Sequence, residues 1–391
     1  MLTALLLGAG ASRELGMPLR EELNAEIIAW LTPTSLRKIN SAWRSRGFGH
    51  PDQVIDELSR RLESSDFDYE ALLGEWEAQY IEGAGDARGP SYHSLYAWLA
   101  QVVSLALYRR QVSHRSVFQD GLPYFAGLVP LVRDNAPLWI FSLNHDVLVE
   151  CLAAHFGIPV SCGFPARTIA LPCRRGPGTV VATLRADVIV EEELADAALP
   201  FFRPGISGIN LLKLRGALDV FAMGDSQNLL KLKPEAQSFD AIIDALQIAN
   251  EGLLDAGLSP DPLSVTNQIP YIDANGERQI LRRTLLASAT RLTDPYPRLM
   301  QRRFLEYFRA NLEQVDQLVA LGCSMGDAEV NEIIQEWLAS SAFRRLEIVA
   351  PRIQQVPADL ESVASQITVT PASATTYLEQ FSDGLPGNSD G

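Results

Sequence analysis

The 391-residue chain is poor in cysteine, histidine and positive charge, and each shortage argues against a class of function. There are four cysteines, Cys151, Cys162, Cys173 and Cys323, and none form a C-x-x-C pair. A four-thiolate zinc site needs two close pairs, so no zinc ribbon is expected. The count is also too low to imply a disulfide framework. The five histidines, His50, His93, His114, His145 and His155, never take the H-E-x-x-H spacing of a zinc protease. No metal is therefore expected. Lys and Arg total 33 against 48 Asp and Glu, a net charge of −15, which opposes broad nucleic-acid binding. Arginine pairs such as Arg60-Arg61 and Arg302-Arg303 read as solvated helix faces. No run is long and uncharged enough to span a bilayer. The apolar opening, Leu2 to Leu7, is short and has no basic residue before it, so a secretory signal is not expected. The chain reads as cytoplasmic.

What remains is ordinary globular composition, 47% hydrophobic and 21% charged, in a chain long enough for more than one structural unit. Thr3 to Leu7 is an all-apolar run, as suits a strand of a parallel sheet covered on both faces. Further strands are expected at Leu138–Ser142, Ile209–Leu214, Gln317–Gly322 and Leu346–Ala350. Pro18 fits the first position of a helix carrying Glu21 and Glu22 in its first turn and Leu19, Leu23, Ile27 and Leu31 on one face. Strands alternating with helices indicate an α/β fold, a Rossmann-like and mainly parallel sheet with helical insertions. The expected organisation is a core of residues 1–32, 131–220 and 280–370. A helical insertion occupies 33–130, with an exposed linker at 82–90. A second, loop-rich and acidic insertion covers 221–279, and a flexible tail 371–391.

Three polar segments each close an apolar strand. The first is Gly8-Ala9-Gly10-Ala11-Ser12, with Gly16, Met17 and Pro18 after it. Glycine permits a tight turn and lets a phosphate approach backbone amides, and a helix N-terminus beyond it favours an anion. The pattern is neither G-x-G-x-x-G nor a P-loop, so a plain strand-to-helix turn stays open. The second is Phe141-Ser-Leu-Asn-His-Asp146. Asn144 can orient a water or a ribose hydroxyl, and Asp146 can accept from one; either residue could instead cap the next helix. His145 could serve as a base or pack in the core. The third is Gly322-Cys-Ser-Met-Gly-Asp327, in which Ser324 and Asp327 are candidate ribose contacts and Asp327 also a candidate N-cap. In an open α/β sheet such loops share one edge, where ligands bind.

These segments carry a resemblance. Gly8-Ala-Gly-Ala-Ser12 with Gly16-Met-Pro18 resembles the opening signature of the sirtuin family, Phe141–Asp146 its second signature, and Gly322–Asp327 its later Gly-x-Ser ribose loop. The resemblance runs in patches over about residues 1–370. The missing zinc cysteines, and the segment Phe67-Asp-Tyr-Glu-Ala-Leu-Leu73, are similar to the bacterial sirtuin-like proteins of antiphage defence rather than to deacetylases. The resemblance implies NAD+ as substrate or ligand and no metal. In many relatives NAD+ is hydrolysed to ADP-ribose and nicotinamide. The Gly8–Ser12 loop would take the pyrophosphate, Asn144 the water or ribose, and Asp146 the nicotinamide carboxamide or ribose. It further implies assembly into a homo-oligomer or with a HerA-type ATPase. One departure stands out. The family carries a catalytic His in Lys-Leu-His-Gly, and this chain reads Lys213-Leu-Arg215-Gly216. Arginine stays protonated and is no general base, though it can bind a phosphate or carboxylate. Two readings follow: a regulated NAD+ glycohydrolase of defence, or a non-catalytic nucleotide-binding sensor or scaffold.

Overall fold

The computed structural model describes residues 2–82, 89–175, 179–196, 198–223, 228–252, 269–272, 278–284 and 295–382. Its strands, in chain order, are β1 (Thr3–Leu7), β2 (Leu138–Ser142), β3 (Val160–Ser161), β4 (Thr168–Arg175), β5 (Thr179–Ile189), β6 (Ile209–Lys213), β7 (Val220–Met223), β8 (Asn228–Leu232), β9 (Ile269–Ile272), β10 (Arg278–Arg283), β11 (Gln317–Leu321), β12 (Arg345–Val349) and β13 (Ile367–Thr370). Seven of them form a wholly parallel sheet in the order β13-β12-β11-β1-β2-β6-β3. This is the expected α/β, Rossmann-like arrangement. The chain runs from β1 outward through β2, then returns to the other side of β1 as β11. Strand order thus reverses beside β1, which opens a crevice at the C-terminal strand ends.

Side-chain alternation along β1 explains its apolar run. Leu5 and Leu7 belong to one buried core and Ala4 and Leu6 to the other. The first core meets helices contributed between β1 and β2: α1 (Ala9–Arg13), α2 (Arg20–Trp30), α3 (Pro33–Arg44), α4 (Asp52–Leu62), α5 (Tyr69–Glu82), α6 (Gly89–Ser113), α7 (Arg115–Gly121) and α8 (Leu128–Asp134). There Trp98 is fully buried and meets Trp43 edge-on, with ring centroids 5.3 Å apart. Most of the expected linker, residues 83–88, lies outside the described residues. The chain continues through α9 (Leu148–Phe156), α10 (Glu191–Asp196), α11 (Phe239–Gln247), α12 (Pro295–Leu312), α13 (Ala328–Ala339) and α14 (Ala374–Glu379). The second core lies against α12 and α13, where Phe308 packs edge-on to Phe141 at 4.7 Å.

Some elements differ from the sequence reading. A second sheet, six-stranded and antiparallel, runs β4-β5-β8-β7-β10-β9. Four of its strands (β4, β5, β7 and β10) hold residues expected in the core segments, and the stretch expected to be loop-rich supplies β8, β9 and α11. Residues 224–227, 253–268 and 273–277 of that stretch lie outside the described residues. Helix α2 starts at Arg20, not at Pro18, because Leu19 is the capping residue and the Glu22 carboxylate accepts its amide at 2.8 Å. The first part of the expected flexible tail is a helix: Ser373 caps α14, and Tyr377 and Leu378 are buried. Residues 383–391 are outside the described range. No helix among the described residues is long and apolar enough to cross a membrane.

Candidate functional site

Four adjacent strands, β11, β1, β2 and β6, end in register: Leu321 lies beside Leu7, Leu7 beside Ser142, and Ser142 beside Lys213. The loops leaving these ends enclose a cavity of about 380 Å³. Gly8, Ala9, Gly10 and Pro18 line it from the first loop, Asn144 and Asp146 from the second, Arg215 from the end of β6, and Gly322, Ser324 and Asp327 from the last. Ala11, Ser12 and Gly16 are not among its lining residues. Gly16 instead makes a turn with φ +90°, packed on the His114 ring.

The glycines of the first loop are required by the last. A Cβ on Gly8 would sit 2.7 Å from the Cys323 Cα, and one on Gly10 would sit 2.8 Å from the Gly322 Cα. Gly322 itself has φ +65°, and a Cβ there would come within 2.2 Å of the Ala11 nitrogen. The amides of Gly8 and Gly10 donate to the Leu321 and Gly322 carbonyls, at 3.0 and 2.9 Å. Ala11 donates to the Gly8 carbonyl at 2.9 Å. These three amides are therefore spent inside the protein, and α1 is only five residues long. The motif joins two loops.

Asn144 is fixed by its amide. Nδ2 donates to the Gly8 carbonyl at 2.9 Å and to Ser12 Oγ at 3.0 Å. The carbonyl can only accept, so this fixes the amide orientation, and Oδ1 is left as an acceptor. Ser12, fully buried, donates in turn to the Asp146 carboxylate. Asp146 Oδ1 also accepts from the Leu148 amide at 3.0 Å, so this residue does hold the start of α9. Burial pushes the Asp146 carboxyl above its ordinary range, against the opposing pull of Lys213, Ser12 and the Leu148 amide. His145 also lines the cavity, and burial drives its imidazole down to about 4. It is neutral near neutral pH and a weak base.

Arg215 and Asp327 are brought together. The guanidinium Nε donates to Asp327 Oδ2 at 2.7 Å, a second nitrogen donates to Oδ1, and Glu329 lies 3.0 Å from the third. Both side chains of the bidentate pair are nearly solvent-free, at 3% and 5% exposure. Asp327 is also the N-cap of α13, accepting from the Val330 amide at 3.2 Å. Met325, with φ +54°, is held in this loop by Asn331, whose Nδ2 donates to its carbonyl at 2.7 Å.

The sequence reading did not assign several wall residues. Arg20, Tyr69 and Glu70 also line the cavity. Arg20 Nε lies 2.6 Å from Asp68 and its NH1 lies 3.5 Å from Glu70, which ties α2 to the start of α5. The signal was present in Asp68-Tyr-Glu70, within the segment noted for its resemblance, but nothing local marks it as cavity-facing. Among the described residues no cluster of metal-ligating side chains occurs, and all four cysteines are free.

No family model matches the sequence, and no curated protein does. Among solved structures, a Sir2 homologue in complex with NAD shares 11% identity over 97% of this chain and 87% of its own, with a TM-score of 0.38. A second, described for the mechanism and regulation of Sir2 enzymes, shares 11% identity over 97% of this chain and 90% of its own, with a TM-score of 0.37.

Two outcomes are expected. Arg215→Met strands the buried Asp327 carboxylate and lowers stability by about 3–5 kcal/mol without any ligand, measured by urea unfolding. An unchanged unfolding midpoint would show that the pair holds nothing together. Asp146→Asn tests the raised carboxyl. The folded state binds this proton more tightly than the unfolded state. Its contribution is full below the ordinary carboxylate range and is lost as pH rises through the raised folded value. The stability of the parent relative to Asp146→Asn should therefore fall as pH rises across that window. A difference that is flat with pH, or rises, contradicts the assignment.

Proposed function

We propose that the cavity binds NAD+ and cleaves the bond between its nicotinamide and ribose with water, giving ADP-ribose and nicotinamide. The observation that carries this reading is the convergence, at the switch point of a parallel sheet, of a fixed acceptor (Asn144 Oδ1) and a buried carboxyl (Asp146). Asn144 has spent both amide hydrogens, so it meets the ligand as an acceptor, suited to a ribose hydroxyl or to the attacking water. Holding that water in place removes much of the entropy barrier to its attack. Asp146 faces the positive charge that spreads over the ribose as nicotinamide leaves with the bonding electron pair. The water oxygen completes the ribose, and its proton passes to solvent. Neutral His145 offers a further acceptor. Ala9, Ser324 and the cationic Arg20 line the wall available to the pyrophosphate.

A second reading is favoured by one observation. Arg215 stands where a base is expected from the resemblance, and its guanidinium is committed to Asp327 and Glu329. On that reading the cavity binds the dinucleotide without turnover, as a sensor or scaffold. The resemblance of the three motifs also motivates a wider setting. In it the protein is an antiphage effector held inactive until triggered, in a homo-oligomer or beside a HerA-type ATPase.

The test is nicotinamide release from NAD+ by the purified chain and by Asn144→Ala, with NAD+ affinity measured in parallel. The proposal expects release by the parent and a loss of about a hundredfold or more in the variant. NAD+ binding without release selects the sensor. If the parent does not bind NAD+, both readings are overturned.

A further inference from the structure

The antiparallel sheet reaches the cavity through a buried cluster of charge. Lys213, the last residue of β6, donates from Nζ to the backbone carbonyl of Asp146. The same ammonium lies 3.0 Å from Glu150 on α9 and 3.9 Å from Asp219, just ahead of β7. Lys231, on β8 of the second sheet, lies 2.6 Å from Glu150 and also pairs with Asp219. None of these four side chains is more than 11% exposed. Two lysines therefore balance two carboxylates in a medium that screens poorly, and Asp146 is the fifth and surplus ionisable group.

The other groups around it do not change that balance. Burial pushes the Cys151 and Cys162 thiols up and keeps them neutral. His145 is neutral, and Arg215 is matched by Asp327 and Glu329. Ser12 and the Leu148 amide donate to Asp146 without charge.

We propose that Lys231 is a positioning residue for the cavity: by sharing Glu150 and Asp219 with Lys213 from the second sheet, it lets Lys213 also fix the Asp146 carbonyl and offset the charge of the Asp146 carboxylate. Without Lys231, Lys213 alone must serve Glu150, Asp219 and Asp146. The nearest two carboxylates draw it away, and Asp146 holds its proton to higher pH. Without the charge of Asp219, one lysine is in excess and Asp146 releases its proton at lower pH. A cluster electrically uncoupled from Asp146 would not give shifts of opposite sign. The importance of Asp146 to a ligand rests on the NAD+ reading above; its protonation does not.

The experiment follows the Asp146 carboxyl by NMR in the full chain with side-chain-labelled aspartate, its resonance identified by its loss in Asp146→Asn. In Lys231→Met the titration midpoint should move up by about one pH unit, and in Asp219→Asn it should move down by a similar amount. Unmoved midpoints in folded variants, or shifts in the same direction, overturn the proposal. If Lys231→Met fails to fold, Asp219→Asn decides alone: a lowered midpoint supports the positioning role and an unchanged one refutes it. Calorimetry of the parent with NAD+ is run separately, so a failure to bind NAD+ leaves the titration result standing.

Discussion

The site depends on one close contact, the backbone-to-backbone approach of the loop after β1 to the loop after β11. Gly8, Gly10 and Gly322 leave no room for a Cβ at that crossing. Their amides and carbonyls are joined across it. With the contact made, the Gly8 carbonyl is placed to accept from Asn144, and the third strand end is drawn into the same assembly. Cavity wall and polar network are thus consequences of a packing constraint that three glycines satisfy.

From that contact a directed chain of hydrogen bonds runs from Asn144 to Ser12 to Asp146. Its direction leaves an acceptor on Asn144 and a carboxyl on Asp146 toward the cavity, beside a neutral histidine. The cavity is consequently richer in acceptors than in free donors. Its two cationic wall residues, Arg20 and Arg215, are already engaged by carboxylates. Such a lining suits hydroxyl groups and a delocalised positive charge. The buried cluster of Lys213, Lys231, Glu150 and Asp219 beneath it offsets part of the penalty of a buried carboxyl at Asp146.

The parallel sheet was legible in the sequence because strands buried on both faces leave continuous apolar runs, as in Leu5–Leu7 and Val319–Leu321. The antiparallel strands were not. In β5 the buried residues Leu184, Ala186 and Val188 alternate with Thr183, Arg185 and Asp187, so no continuous apolar run marks the strand. Edge strand β13 was missed for a similar reason, since Ile367-Thr-Val-Thr370 is nowhere fully buried. At the site, Asn144, Asp146, Ser324 and Asp327 could be nominated because each follows an apolar strand. What could not be read were pairings distant in sequence: Arg215 with Asp327, 112 residues away, and Lys231 with Glu150, 81 away. Nor could the sequence reveal that Ser12 faces Asn144 and Asp146 rather than the ligand, since this depends on how the two loops cross.

The most direct test of the account is amide hydrogen exchange on the full chain with and without NAD+. The prediction is that NAD+ slows exchange together in segments 8–18, 143–148 and 322–328, and in the 68–71 wall. Protection confined to other surfaces, or none at a saturating concentration of NAD+, would contradict the claim that these loops form one dinucleotide site.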